Sequence, residues 1–101
     1  MDSLIKDSVE ELLMEVEKTA VTGSEVSQLV VYNDDVNTFD WVIQCFMEVC
    51  SHTFEQSEQL SLIIHFKGKA IVKTGTAEML KGMKEELITR GLSAVVTTFA
   101  E

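Results

Sequence analysis

Between an apolar run at Leu29–Val31 and an apolar-periodic segment that starts at Phe39, the chain places Tyr32-Asn33-Asp34-Asp35-Val36-Asn37. The hydrophobic period changes across this stretch from two to about 3.6, so a strand must hand over to a helix here. The polar side chains of the junction are short and rich in acceptors. That composition is costly unless it turns the chain, caps the helix or meets a cation. A second polar residue in an apolar setting, His65, follows Leu62-Ile63-Ile64. Together the two features point to a site that receives a small positive group beside an apolar surface.

The remaining elements follow from pattern and punctuation. Gln28 to Tyr32 reads as a strand. Asn37, with Asp40 three residues on, has the form of a helix N-cap resembling a capping box. Phe39, Val42, Ile43, Phe46, Val49 and Cys50 then fall on one face of a helix that ends near His52. Thr53 with Gln56 opens a second helix, with Leu60, Ile63 and Ile64 inward, and Lys67-Gly68 breaks it. Lys69 to Lys73 is a strand in which Ala70 and Val72 alternate against Ile71. Gly75-Thr76 starts a third helix, apolar at Leu80, Met83, Leu87 and Ile88. Arg90-Gly91 closes it with a cation and a glycine. Ala94 to Phe99 is the last strand. With no proline in the chain, every helix end depends on a cap or a glycine.

The order β-α-α-β-α-β predicts an α/β (α+β) fold: one two-layer sandwich whose three-stranded sheet is covered by helices on one face. Residues 28–101 are expected to form this core domain and residues 1–27 an N-terminal extension. In the extension, Ile5, Val9, Leu12, Leu13 and Val16 give residues 3–18 an amphipathic helical pattern, and Thr19 to Ser27 reads as a linker.

Composition narrows the function classes. At 46% hydrophobic and 25% charged, the chain is that of a folded soluble protein. A formal net charge of −9 argues against binding phosphate backbones, which takes a basic face. No apolar stretch approaches the roughly 18–20 residues of a membrane helix, and no signal-like leader is evident, so a cytoplasmic protein is expected, and, with no large apolar surplus, a monomer. Cys45 and Cys50, five apart in one helix, are poorly spaced for a disulfide and read as reduced core thiols. A Cys50/His52 metal site lacks a second ligand pair, and neither a metal nor a cofactor is expected.

With Asn33-Asp34-Asp35, then Val42-Ile43, then His65 with Gly68-Lys69-Ala70, then Thr76-Ala77-Glu78, the chain resembles the ClpS family of adaptors for Clp proteases. The resemblance covers roughly residues 28–99. It implies an adaptor rather than an enzyme. Such an adaptor binds proteins by a destabilising N-terminal Leu, Phe, Tyr or Trp and hands them to the N-terminal domain of a Clp-type AAA+ unfoldase. Carried over by position, Asn33, Asp34 and His65, with Asp35 and Asn37 in the same loop, would hold the substrate's free α-amino group. Phe39, Val42, Ser61, Ile64 and Val96 would form the hydrophobic pocket, and Glu78 with Lys81 would meet the unfoldase. The chain departs from the family pattern at Asn37 (threonine), Thr38 (proline), and Phe39 and Ser61 (both methionine), which opens the ranking among first residues.

Read without the resemblance, the same residues have plainer roles. Asn33-Asp34-Asp35 alone is a turn with a cap, His65 a cation at a helix C-terminus, and Glu78 with Lys81 a solvated helix face. Two other functions compete. One is a small hydrolase or metal-dependent enzyme using His65 with Asp34 or Asp35, although no serine or cysteine nucleophile is placed with the histidine. The other is a protein-interaction domain without a pocket.

Overall fold

The computed structural model describes residues 26–98, and the expected helix over 3–18 lies outside them. Its strands are β1 (Val26–Tyr32), β2 (Lys69–Thr76) and β3 (Ser93–Thr98); its helices are α1 (Phe39–Val49), α2 (Phe54–Lys67) and α3 (Ala77–Thr89). The chain order is the expected β-α-α-β-α-β. β1 is central, between β2 and β3, and pairs antiparallel with both. It begins at Val26, paired with Thr76, so Val26 and Ser27 belong to the sheet and not to a linker. Phe99, expected in β3, lies outside the described residues.

Alternation along the strands decides which face is covered. Leu29, Val31, Ala70, Val72 and Ala94 are buried on the helix side. Val30, paired with Ile71 and Val95, falls on the opposite face. Register shifts between Leu29 and Val30, which leaves Val72 as an extra residue in β2, a β-bulge. Beyond it, Lys73 donates from Nζ to the Cys50 carbonyl at 3.2 Å. The His52 ring Nε2 donates to the carbonyl of bulged Val72 at 2.6 Å. His52 is thus committed to the fold, and no cluster of metal-ligating side chains occurs among the described residues.

The helices differ from the expected stripes in instructive ways. In α1 the buried line is Ile43, Cys45 and Phe46, continued by Cys50, while Val42 and Val49 are half-buried and Phe39 stands partly in solvent. In α2 the inward positions are Ser57, Ser61 and Ile64. Ile63, expected inward, is exposed and Leu60 is half-buried, because the small serines let this face of α2 turn inward. In α3 Leu80 and Leu87 are fully buried and Met83 partly so, but Ile88 is exposed. Cys45 and Cys50 are buried free thiols, as expected.

Threonine opens every described helix. Thr38, Thr53 and Thr76 each accept from the backbone N–H three residues on, at 3.1 Å. At Thr53 the reciprocal Gln56 bond completes a capping box. The cap of α1 is therefore Thr38 and not Asn37, whose side chain is engaged elsewhere. Gly68, at φ +96°, ends α2 in the left-handed conformation glycine tolerates, and Gly91 at φ +97° follows α3. Between α1 and α3, Trp41 Nε1 donates to the Arg90 carbonyl at 3.0 Å, and the Arg90 guanidinium pairs with Glu48 and Glu86.

Candidate functional site

The β1–α1 junction is held by three separate anchors. Asn33 N–H donates to the Gly68 carbonyl at 2.9 Å, which ties the loop to the end of α2. Asp34 Oδ1 accepts from the backbone N–H groups of Val36 and Asn37, both at 2.9 Å, an Asx-type turn. Asp34 Oδ2 accepts from Asn37 Nδ2 at 2.8 Å, and that nitrogen also donates to the Gly91 carbonyl at 2.8 Å. Asn37 is thereby the bracket between the loop and the turn that joins α3 to β3, and its amide hydrogens are spent on the fold.

Partial burial pushes the Asp34 carboxyl up, but the three hydrogen bonds from Asn37 and Val36 outweigh it. The net effect holds the group below the ordinary carboxylate value, ionised at neutral pH. A carboxylate offers about four acceptor positions, so one remains for an incoming donor. Among the described residues no protein group hydrogen-bonds to the Asn33 side chain or the His65 ring. His65 instead meets the edge of Phe66, ring centroids 4.8 Å apart.

These groups bound one cavity of about 480 Å³. The loop contributes Asn33, Asp34, Asp35 and Asn37; α1 contributes Phe39 and Val42; α2 contributes Ser61, Leu62, Ile64, His65 and Phe66. An acceptor-rich rim and an apolar wall therefore share a single space, so the reading of a domain without a pocket does not stand. Chemically, the arrangement can accept hydrogen bonds from a cation while burying an apolar group beside it.

Of the expected pocket residues, Phe39, Val42, Ser61 and Ile64 line the cavity and Val96 does not. Val96 pairs with Leu29 in β3 and packs half-buried on the core. Its apolar character reflects the sheet interior. Leu62 and Phe66 are additions that the sequence reading missed. Their signal was available, since helical spacing puts residues one turn apart, 62 and 66, on one face. Glu78 and Lys81 are exposed on α3 and take no part in the cavity.

Comparison with known proteins gives a consistent picture. The family model described as "ATP-dependent Clp protease adaptor protein ClpS" matches residues 23–95. The "ATP-dependent Clp protease adapter protein ClpS" of Vibrio cholerae is 40% identical over 67 residues, 66% of this chain and 63% of the relative. The chain thus matches a little under two thirds of that protein's length. The protein of the same description from Thermosynechococcus vestitus is 34% identical over 67 residues, 65% of this chain and 71% of the relative. Among solved structures, "The structure of Agrobacterium tumefaciens ClpS2 bound to L-phenylalaninamide" superposes with a TM-score of 0.66. It covers 74% of this chain and 98% of the other at 15% identity, a likeness of fold.

Proposed function

The chain belongs to the ClpS family of Clp protease adaptors, and from that premise we propose that it binds proteins by a free N-terminal Leu, Phe, Tyr or Trp and delivers them to a Clp-type AAA+ unfoldase. Its relatives are named as adapters and not as enzymes. The observation that carries the reading is the shared cavity, in which acceptors of the β1–α1 loop and His65 border the same space as Phe39, Val42 and Ile64. The Agrobacterium relative holds L-phenylalaninamide, a free amine beside a benzyl group, and a ligand of that chemistry suits this cavity.

In the proposed complex the substrate's ammonium donates to the Asn33 amide oxygen, the remaining position on Asp34 and a neutral His65 nitrogen, with Asp35 adding negative charge. Asn37 supports them by fixing Asp34. The first side chain lies among Phe39, Val42, Leu62 and Ile64. Charge-assisted bonds contribute roughly 1.5–3 kcal/mol each, and burying the side chain about 1.5–3 kcal/mol more. Set against the loss of translational freedom, this leaves micromolar-scale affinity, which suits an adaptor that must release its cargo. Exposed Glu78 and Lys81 on α3 form the surface offered to the unfoldase's N-terminal domain. The adaptor acts as a cytoplasmic monomer without a cofactor.

Calorimetry with peptides that differ only at the N-terminus tests the reading. A peptide with a free N-terminal Phe or Leu is expected to bind and its N-acetylated form to fail. Equal binding of the two forms would rule out recognition through the ammonium.

A further inference from the structure

We infer that the Ser61 hydroxyl discriminates among first residues, favouring an aromatic side chain that carries a hydrogen-bonding atom, tyrosine or tryptophan, over phenylalanine and leucine. The inference rests on the reading of the cavity as the first-residue site. Ser61 is 3% exposed, and it lines the cavity alongside Phe39, Val42 and Ile64. Its Oγ is shut off from water and has no hydrogen-bond partner among the described residues. Folded proteins pair nearly all such groups, so an unpaired one is a standing penalty that a ligand can relieve. A serine within a helix has a local remedy, the carbonyl one turn back. Ser61 does not use it.

Position separates Ser61 from the other orphaned hydroxyl. Ser57, one turn earlier on the same buried face, is equally unpartnered but does not line the cavity. Ser61 is the polar point in the apolar wall of the cavity, one helical turn before His65. Its hydroxyl turns about one torsion between staggered wells and can donate or accept. Turned about that torsion out of its shut-off position and into the cavity, it can take a phenol O–H or an indole N–H, while a phenyl or isobutyl group leaves it unpaired. A cavity of about 480 Å³ has room for either ring.

The test crosses two peptides, identical except for Tyr or Phe at the first position, with the full chain and its Ser61→Ala variant in titration calorimetry. One neutral hydrogen bond corresponds to about a fivefold preference. The Tyr peptide is expected to bind the parent about fivefold tighter than the Phe peptide, and the ratio should fall to about one in Ser61→Ala. Alanine removes an unpaired hydroxyl, so the variant is expected to melt no lower than the parent. Amine-dependent binding with the same Tyr/Phe ratio in both proteins overturns the role of Ser61 and leaves the first-residue reading standing. If neither peptide binds, or N-acetylated controls bind equally, that reading falls and this inference falls with it.

Discussion

Asp34 works twice, once for the loop and once for the proposed ligand. It accepts from Val36 N–H, Asn37 N–H and Asn37 Nδ2, and its last acceptor position faces the ammonium in the proposed complex. Asp34→Ala should therefore weaken binding of a free-amine peptide by about thirtyfold or more in calorimetry, the equivalent of roughly 2 kcal/mol or more for a charge-assisted bond. Its titration makes a second prediction. Because the folded carboxyl is held low by those hydrogen bonds against burial, the unfolded chain takes up the proton first as pH falls. The stability that Asp34 contributes is full above the ordinary carboxylate range and is lost as pH drops through the lowered folded value. Urea denaturation of the parent and Asp34→Asn should differ at pH 7 and converge in acid. A gap that persists undiminished below that range contradicts the assignment. The thiols give a simpler check. Burial pushes Cys50 up to about 11, with Lys73 acting in the opposite sense, and also raises Cys45. Neither should react with Ellman's reagent at pH 8 until denaturant opens the core, and fast labelling of the native protein would show the packing to be wrong.

At the scale of elements, the end of α2 sets the loop's position. Gly68 carries φ +96° and a carbonyl that receives Asn33 N–H. A Cβ placed there meets nothing within 4 Å, so the cost of Gly68→Ala is backbone strain alone. About 1–2 kcal/mol is expected for a left-handed non-glycine residue. A lowered urea midpoint should come with weaker peptide binding, because Asn33 moves with the strained cap. Thr53→Ala, which removes the capping box at the other end of α2, should cost about 1 kcal/mol and spare the affinity. Equal effects of both substitutions on binding would detach the loop from Gly68. The two caps also show what a sequence can reveal. Thr53 and Gln56 were legible because the whole motif lies within four residues. Asn37 and Thr38 are adjacent and equally competent caps, and the choice depends on a hydrogen bond from Asn37 to Gly91, far along the chain. The inward line of α2 was hidden for a related reason. Periodicity counts apolar residues, whereas this helix buries Ser57 and Ser61 and exposes Ile63. The loop and His65 were legible as chemistry; that they share a cavity with Leu62 and Phe66, and without Val96, required the packing of α2 against the sheet.

At the scale of the molecule, the described residues build a core of their own. Its buried cluster runs from Leu29 to Ala94, and the cavity from Asn33 to Phe66. The sheet begins at Val26, which is itself buried and paired with Thr76. Charge is distributed differently. Asp2, Asp7, Glu10, Glu11, Glu15, Glu17 and Glu25 precede the sheet against only Lys6 and Lys18, so more than half of the net −9 lies there. Long-range charge changes the approach of a ligand cation through a screened field. It leaves the contacts themselves untouched. A chain beginning at Glu25 is therefore expected to melt within a few degrees of the full chain. It should bind a free-amine Phe peptide within about twofold at physiological salt, where the Debye length is about 8 Å. Under the proposed function, delivery is the step that should change, measured as degradation of a Phe-initiated substrate by a Clp unfoldase and its protease. Truncation that lowers peptide affinity tenfold or unfolds the domain would instead make the first residues part of the site or of the core.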